Sequence, residues 1–200
     1  RVLSKKEQQQ LECILMQDTD LTKFTVLLCL YTGIRIGEAC ALRWEHLRLD
    51  IGILEVRETM QRIQVQQNIA TKTKGIITEP KSACSNRDIP LPRFLIQYAA
   101  QFQTDRKAFV LTGEKDQFIE PRTLQNRFRN YVEASGIEHA NYHALRHTFA
   151  TRCVELGFEI KSLSEILGHS NVNITLNKYV HSSIELKKQN MEKLNPAMIE

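Results

Sequence analysis

No stretch of this chain is apolar for long enough to cross a bilayer. The longest such run, residues 24–31, is interrupted at Thr25 and falls well short of the roughly 20 residues a membrane helix needs. Cysteine is sparse and shows no pairing by spacing. The five residues, at 13, 29, 40, 84 and 153, form no Cys-x-x-Cys and are odd in number, which argues against a zinc site and against a complete disulfide framework. They read as reduced thiols. With no signal peptide ahead of the apolar run, a cytoplasmic location follows by default. A strong charge of one sign is also lacking: 27 Lys and Arg against 23 Asp and Glu leave +4, which permits a polyanionic partner without demanding one. What remains, 42% hydrophobic and 25% charged residues, is the composition of a globular chain with room for one sizeable core.

Taken in order, Ser4 followed by Glu7 predicts a capped helix running to about Met16. A second helix, residues 22–31, is apolar on most faces and so buried, and Thr32-Gly33 ends it. Arg35 then opens a third helix with Ile36, Ala39, Cys40 and Leu42 as its apolar stripe, and an arginine there sits poorly with the helix dipole unless an anion joins it. A surface pair with Glu38 is the plainer reading. Strand patterns follow at 52–58, 75–78 and 87–91, predicting a small antiparallel sheet of about three strands, with the polar stretch 61–74 as a long hairpin end. Residues 92–103 read as helix, 109–111 as a short extended piece, and 121–134 as an amphipathic helix with Leu124, Phe128, Tyr131 and Val132 inward. The predicted class is α+β, mostly helical, in one domain.

Chemistry concentrates between Asn141 and His181. His143 and Arg146 lie at i and i+3 on one helical face, a pairing that suits an anion: arginine can fork onto two phosphate oxygens, and histidine can donate or exchange a proton near neutral pH. Leu167-Gly168-His169 reads as a helix ending in a left-handed cap with His169 just beyond it, and Tyr179 follows ten residues later. His147 is assigned a quieter core or capping role. Residues 149–168 also trace helix, turn at Gly157 and second helix, the outline of a DNA-binding helix-turn-helix.

HALRHTFAT, LGHS and the later Tyr179, preceded by YTGIRIGEACALRW at 31–44, resemble the ordered motifs of the tyrosine recombinases, the phage-type integrase family, across nearly the whole chain. The resemblance implies catalytic roles for Arg35, Lys81, His143, Arg146, His169 and Tyr179, with Glu38 orienting the site. Lys81 enters on the pattern Pro80-Lys81-Ser82 followed by Arg87-Asp88-Ile89-Pro90-Leu91. The implied reaction is transesterification of a DNA phosphodiester: Tyr179 attacks phosphorus with His143 as base, Arg35 and Arg146 hold the nonbridging oxygens, His169 donates one more bond, and Lys81 protonates the leaving 5′-oxygen. No metal or other cofactor is called for, because two guanidiniums and a lysine supply the positive charge.

If DNA binds, Lys72, Lys74, Arg87, Arg122 and Arg127 are the expected phosphate contacts. The resemblance implies double-stranded DNA as the partner, with a homotetramer on two duplexes in the active assembly, a monomer in isolation, and no membrane. The implied catalytic domain spans residues 1–181, and 182–200 read as a tail helix that the resemblance would dock on a neighbouring protomer. The family's amino-terminal core-binding and arm-binding domains are not within these residues, so a fragment that binds DNA weakly is expected. The long polar stretch at 61–74 points toward integrases of phages or conjugative transposons. The alternatives are a non-catalytic helix-turn-helix regulator and a type IB topoisomerase-like enzyme.

Overall fold

The spacing of caps in the sequence sets the first two helices. Helix α1, Lys5–Leu15, begins where the Ser4 hydroxyl accepts from the Glu7 N–H and the Glu7 carboxylate accepts from the Ser4 N–H, at 3.2 and 2.7 Å. Helix α2, Leu21–Thr32, opens on the Asp20 carboxylate and closes on Gly33, whose left-handed backbone (φ 65°) suits glycine. Apolar on most of its faces, α2 is buried along most of its length and forms the central pillar. Phe24 on it stacks against Phe102 and Trp44 at 4.8 and 5.8 Å between ring centroids. The computed structural model describes residues 1–67, 70–80, 83–102, 105–179, 188 and 191–192.

Helix α3, Ile36–Ala41, follows directly, and a 3₁₀ turn at Trp44–His46 leads into the strands. Here the expectation of one sheet with about three strands needs correction, since five strands among the described residues form two sheets. Strands β1 (Leu47–Arg48), β2 (Ile53–Val56) and β5 (Arg87–Pro90) pair antiparallel in the order β1-β2-β5. Leu54 opposite Ile89 seats this sheet on the core. Strands β3 (Thr59–Gln67) and β4 (Ala70–Thr78) pair only with each other, from Thr59 opposite Thr78 to Gln67 opposite Ala70. Residues 61–67 and 70–74 of the polar stretch therefore are strand, which suits their alternation of β-branched residues with glutamine and lysine, and Met60 at the base of β3 anchors the ribbon to the core.

Helix α4, Arg93–Ala99, is extended by a 3₁₀ turn to Phe102, and the piece at 109–111 contributes an isolated bridge from Phe109 to Arg43. Helix α5, Pro121–Ala134, takes its predicted bounds and buries Leu124, Phe128 and Val132, while Tyr131 is only partly covered. Helices α6 (His143–Glu155), α7 (Ile160–Leu167) and α8 (Val172–Tyr179) complete the described fold, with α6 packed along α2. The helix expected over 182–200 lies almost wholly outside the described residues, as does Lys81. No helix among the described residues is long and apolar enough to cross a membrane.

Candidate active site

Two helix ends bring the site together. Gly33 closes α2 and Gly168 (φ 63°) closes α7, and the carbonyls at both ends point at arginines. Arg146 donates to Gly33 O and Leu167 O, each at 2.7 Å, and Arg35 donates to Gly168 O at 2.9 Å across 133 residues of sequence. The carboxyl ends of helices carry partial negative charge, so both guanidiniums rest on favourable poles. Arg146 is buried and makes no ion pair among the described residues; carbonyls stand in for a carboxylate. Burial and the nearby Arg35 charge pull it down to about 10, so it remains cationic at neutral pH. A Cβ on Gly168 would meet Arg87 and Cys84 O at 3.1 Å, so both backbone angle and space require glycine there.

Arg35 is steadied from below by Glu38, which is not the surface partner that spacing allows. This carboxylate is buried and accepts from the Arg35 N–H (2.7 Å), from Arg35 Nη1 (2.9 Å) and from both Nη atoms of Arg87 (3.0 and 2.9 Å). Burial alone would raise it; the bonds and charge of Arg87 and Arg35 outweigh that and hold it below the usual carboxylate range. The start of α3 is thereby closed by Glu38, and the helix is too short to offer an anion site. Arg87 has to be withdrawn as a DNA contact. It is buried, and it also donates to Ile166 O and Ser85 O, so it braces β5 against α3 and α7.

His169 lies between Arg146 and α8. Its Nε2 is 3.0 Å from Arg146 Nη2 and its Nδ1 is 2.8 Å from Thr175 Oγ1. A guanidinium can only donate, so Nε2 accepts and the proton sits on Nδ1. In this arrangement His169 orients Arg146; the extra donor expected from the sequence is not available at Nε2. Burial, then the Arg146 and Arg35 charges, push it down to about 4.

Tyr179 ends α8 with its ring buried against Ala150, Cys153, Leu163 and Leu167. Its hydroxyl is 3.0 Å from Nδ1 of His147, the residue given the quieter role. Burial raises the phenol pKa while Arg146 opposes that rise. Burial, then Lys178 and His143, push His147 down to about 4. His143 is exposed and stands edge-on to His147, with ring centroids 4.3 Å apart. With Arg35 and Arg146 it lines an open cavity of about 460 Å³. Three of Arg146's N–H groups are spent within the protein and two of Arg35's, so each fork retains donors for a ligand in that cavity.

Of the remaining predicted positions, Lys74 and Arg122 are exposed, while the side chain of Lys72 lies outside the described residues, like Lys81. Arg127 donates to Thr22 Oγ1 at 2.6 Å, at the opposite end of α2 from Gly33. Asp18 and Asp20, the chain's Asp-x-Asp pair, are engaged locally by the Lys23 side chain and backbone N–H.

The depressed histidines make stability depend on pH. Both His147 and His169 bind protons more weakly folded than unfolded, so stability is lost as pH falls from about 6.5 through about 4. A series of thermal melts across that window should fall more shallowly in the variant His147→Asn/His169→Asn than in the native chain. An equal slope would show that the two rings titrate normally in the fold.

The phage integrase family matches residues 1–185. A tyrosine recombinase XerC-like protein of Caldanaerobacter subterraneus subsp. tengcongensis is 29% identical over 194 residues, covering 88% of this chain and 50% of that protein. The transposase from transposon Tn916 of Enterococcus faecalis is 25% identical over 214 residues, covering 97% of this chain and 51% of that protein. The chain thus spans about half the length of these relatives. In fold it is similar to the Tn1549 transposon integrase, solved in complex with transposon right end DNA, with TM-score 0.76 and 24% identity over 97% of this chain and 66% of that one.

Proposed function

We propose, from the premise that this chain belongs to the phage integrase family, that it carries the catalytic site of a site-specific DNA recombinase. Tyr179 attacks a DNA phosphodiester, the tyrosine oxygen becomes esterified to the 3′-phosphate, and a 5′-hydroxyl leaves. Because the ester is conserved, a different 5′-hydroxyl can reverse the step without ATP. The observation that carries this reading is the convergence of Arg35, His143 and Arg146 on one open cavity, with Tyr179 bonded one helical turn along α6 from His143.

Each side chain has a role in the proposal. Arg35 and Arg146 bind the nonbridging oxygens, where negative charge grows in the transition state. Their attachment to helix ends and to Glu38 fixes them in advance, so no reorganisation is required as that charge develops. His169 holds Arg146 in place, and His143 faces the DNA from the cavity wall. Lys81 is assigned the proton for the leaving 5′-oxygen on family resemblance. Lys74 and Arg122 remain candidates for backbone contacts. Integration or excision of a mobile element on two duplexes, by four copies, is the biological setting proposed. An open apolar groove of about 630 Å³, where Leu156 and Phe158 stand exposed, supports such assembly as a seat for a neighbouring copy's tail.

The test is covalent trapping in EDTA. Nicked duplexes are taken from the junctions of the DNA element that carries the gene, and protein attached to DNA is sought after SDS. An SDS-resistant complex whose phosphotyrosine maps to residue 179 is expected. Loss of the complex in EDTA, or attachment through another residue, would refute the proposal; DNA binding with no attachment at all would favour the helix-turn-helix regulator.

A further inference from the structure

We propose that His147, and not His143, takes the proton from Tyr179 as the phenol attacks phosphorus; the proposal rests on the tyrosine-nucleophile reading above. The geometry is direct. His147 Nδ1 stands 3.0 Å from the Tyr179 hydroxyl, within the reach required of a general base. His143 lies four residues earlier on the same face of α6 and presents its ring to His147, so His147 occupies the position against the phenol. The two rings of the proposed pair, His147 and Tyr179, have centroids 5.7 Å apart and are tilted by 54°.

The charged and titratable groups around His147 are His143 and Arg146 on α6 and Lys178 and Tyr179 on α8. All but the phenol are cationic or able to become so. Burial first, and these charges after it, keep the imidazole neutral in the free chain, and a neutral ring has the lone pair that a base needs. A phosphate entering the cavity brings negative charge beside Arg146 and strengthens the ring's hold on a proton at the step that uses it. The phenol needs this help, since burial raises its pKa above the ordinary value.

The proton inventory closes as follows. Tyr179 Oη forms its bond to phosphorus, its proton moves to His147 Nδ1, and the phosphorus bond to the 5′-oxygen breaks. That oxygen takes a proton from a donor side chain or from water. On rejoining, the incoming 5′-hydroxyl gives up its proton to the same donor site, and the His147 imidazolium returns its proton to the departing phenolate. One imidazole thus acts as base in cleavage and as acid in resealing.

The test uses the full 200-residue chain and the junction duplexes described above, with a bridging sulfur replacing the 5′-oxygen so that the leaving group needs no proton. His147→Asn places an amide near the Nδ1 position and can still hold the phenol, but it has no useful basicity. Its covalent complex should form about 10²–10⁴-fold more slowly at neutral pH. The deficit should shrink steadily toward pH 10 as the phenol ionises unaided. Arg35→Lys should instead lose rate by a factor that does not change with pH. A His147→Asn variant as fast as the native chain, or slower by the same factor at every pH, would overturn the proposal. So would a pH-dependent deficit in His143→Asn in place of His147→Asn. A measurement without DNA decides independently: ¹⁵N-histidine NMR should show His147 with Nδ1 unprotonated, and a proton resident on Nδ1 would exclude it as acceptor. A covalent complex that persists in Tyr179→Phe would instead sink the nucleophile reading beneath the proposal.

Discussion

Phenylalanine in place of Tyr179 is expected to abolish the covalent protein–DNA complex while leaving the fold and DNA binding close to native. The substitution removes only the hydroxyl, whose described partner is His147 Nδ1. The ring keeps its seat against Ala150, Cys153, Leu163 and Leu167, so packing is conserved. Losing one hydrogen bond costs roughly 0.5–1.5 kcal/mol, and His147 is a partly exposed residue. For a chain of this length that corresponds to a drop of roughly 1–6 °C in Tm. Arg35 and Arg146 keep their supports, since none of their hydrogen bonds involves the phenol. Parallel melting, gel-shift and SDS-trapping measurements check the three parts. A Tm loss well beyond that range, together with lost binding, would mean that the tyrosine is a packing residue and that absent cleavage says nothing about chemistry.

Glu38→Ala is expected to give the largest loss of stability of any single change at the site. Its carboxylate accepts four hydrogen bonds and neutralises Arg87, whose side chain is only 6% exposed beside a Glu38 side chain that is 4% exposed. Removing one partner of a buried pair leaves an uncompensated charge and costs about 3–5 kcal/mol. That predicts a Tm lower by roughly 6–20 °C. A second change, Arg87→Met in the Glu38→Ala background, removes the orphaned charge and should recover part of the loss, giving a favourable coupling in a double-mutant cycle. If Glu38→Ala melts within about 2 °C of the native chain, the carboxylate is not the keystone its bonds suggest.

Much of the scaffold was legible because local rules acted without competition. The Ser4–Glu7 box, the glycine ends at 33 and 168 and the bounds of α5 all follow from caps and 3.6-residue spacing, and each is present. The meeting of Arg35, Arg146, His169 and Tyr179 was legible only through motif order. No local rule brings residue 35 to the end of a helix that finishes at 167.

The misreadings have physical causes as well. The charge of Arg87 suggests a phosphate contact, yet β5 alternates buried and exposed from Arg87 to Pro90, which puts Arg87 on the same inward face as Ile89. The alternation was the available signal, and charge was allowed to override it. Spacing of four places His143 and His147 on one face of α6 and favours neither as the neighbour of Tyr179. Only the position of α8, set by its packing on α6 and α7, decides which ring meets the phenol. The split into two sheets depended on the partner of β3, and strand pairing is not encoded in either strand alone.

The order of these residues along the chain carries a consequence for the protein while it is being made. Arg35, Glu38, Arg87, Arg146 and His169 all precede Tyr179, as do the residues that cradle its ring. A ribosome therefore adds every residue of the proposed anion-holding cavity before it adds the proposed nucleophile. On the function proposed, a chain stopped short of residue 179 carries the arginines and lacks the nucleophile, so it cannot cut DNA. Breakage becomes available only when the last described helix has been laid into place.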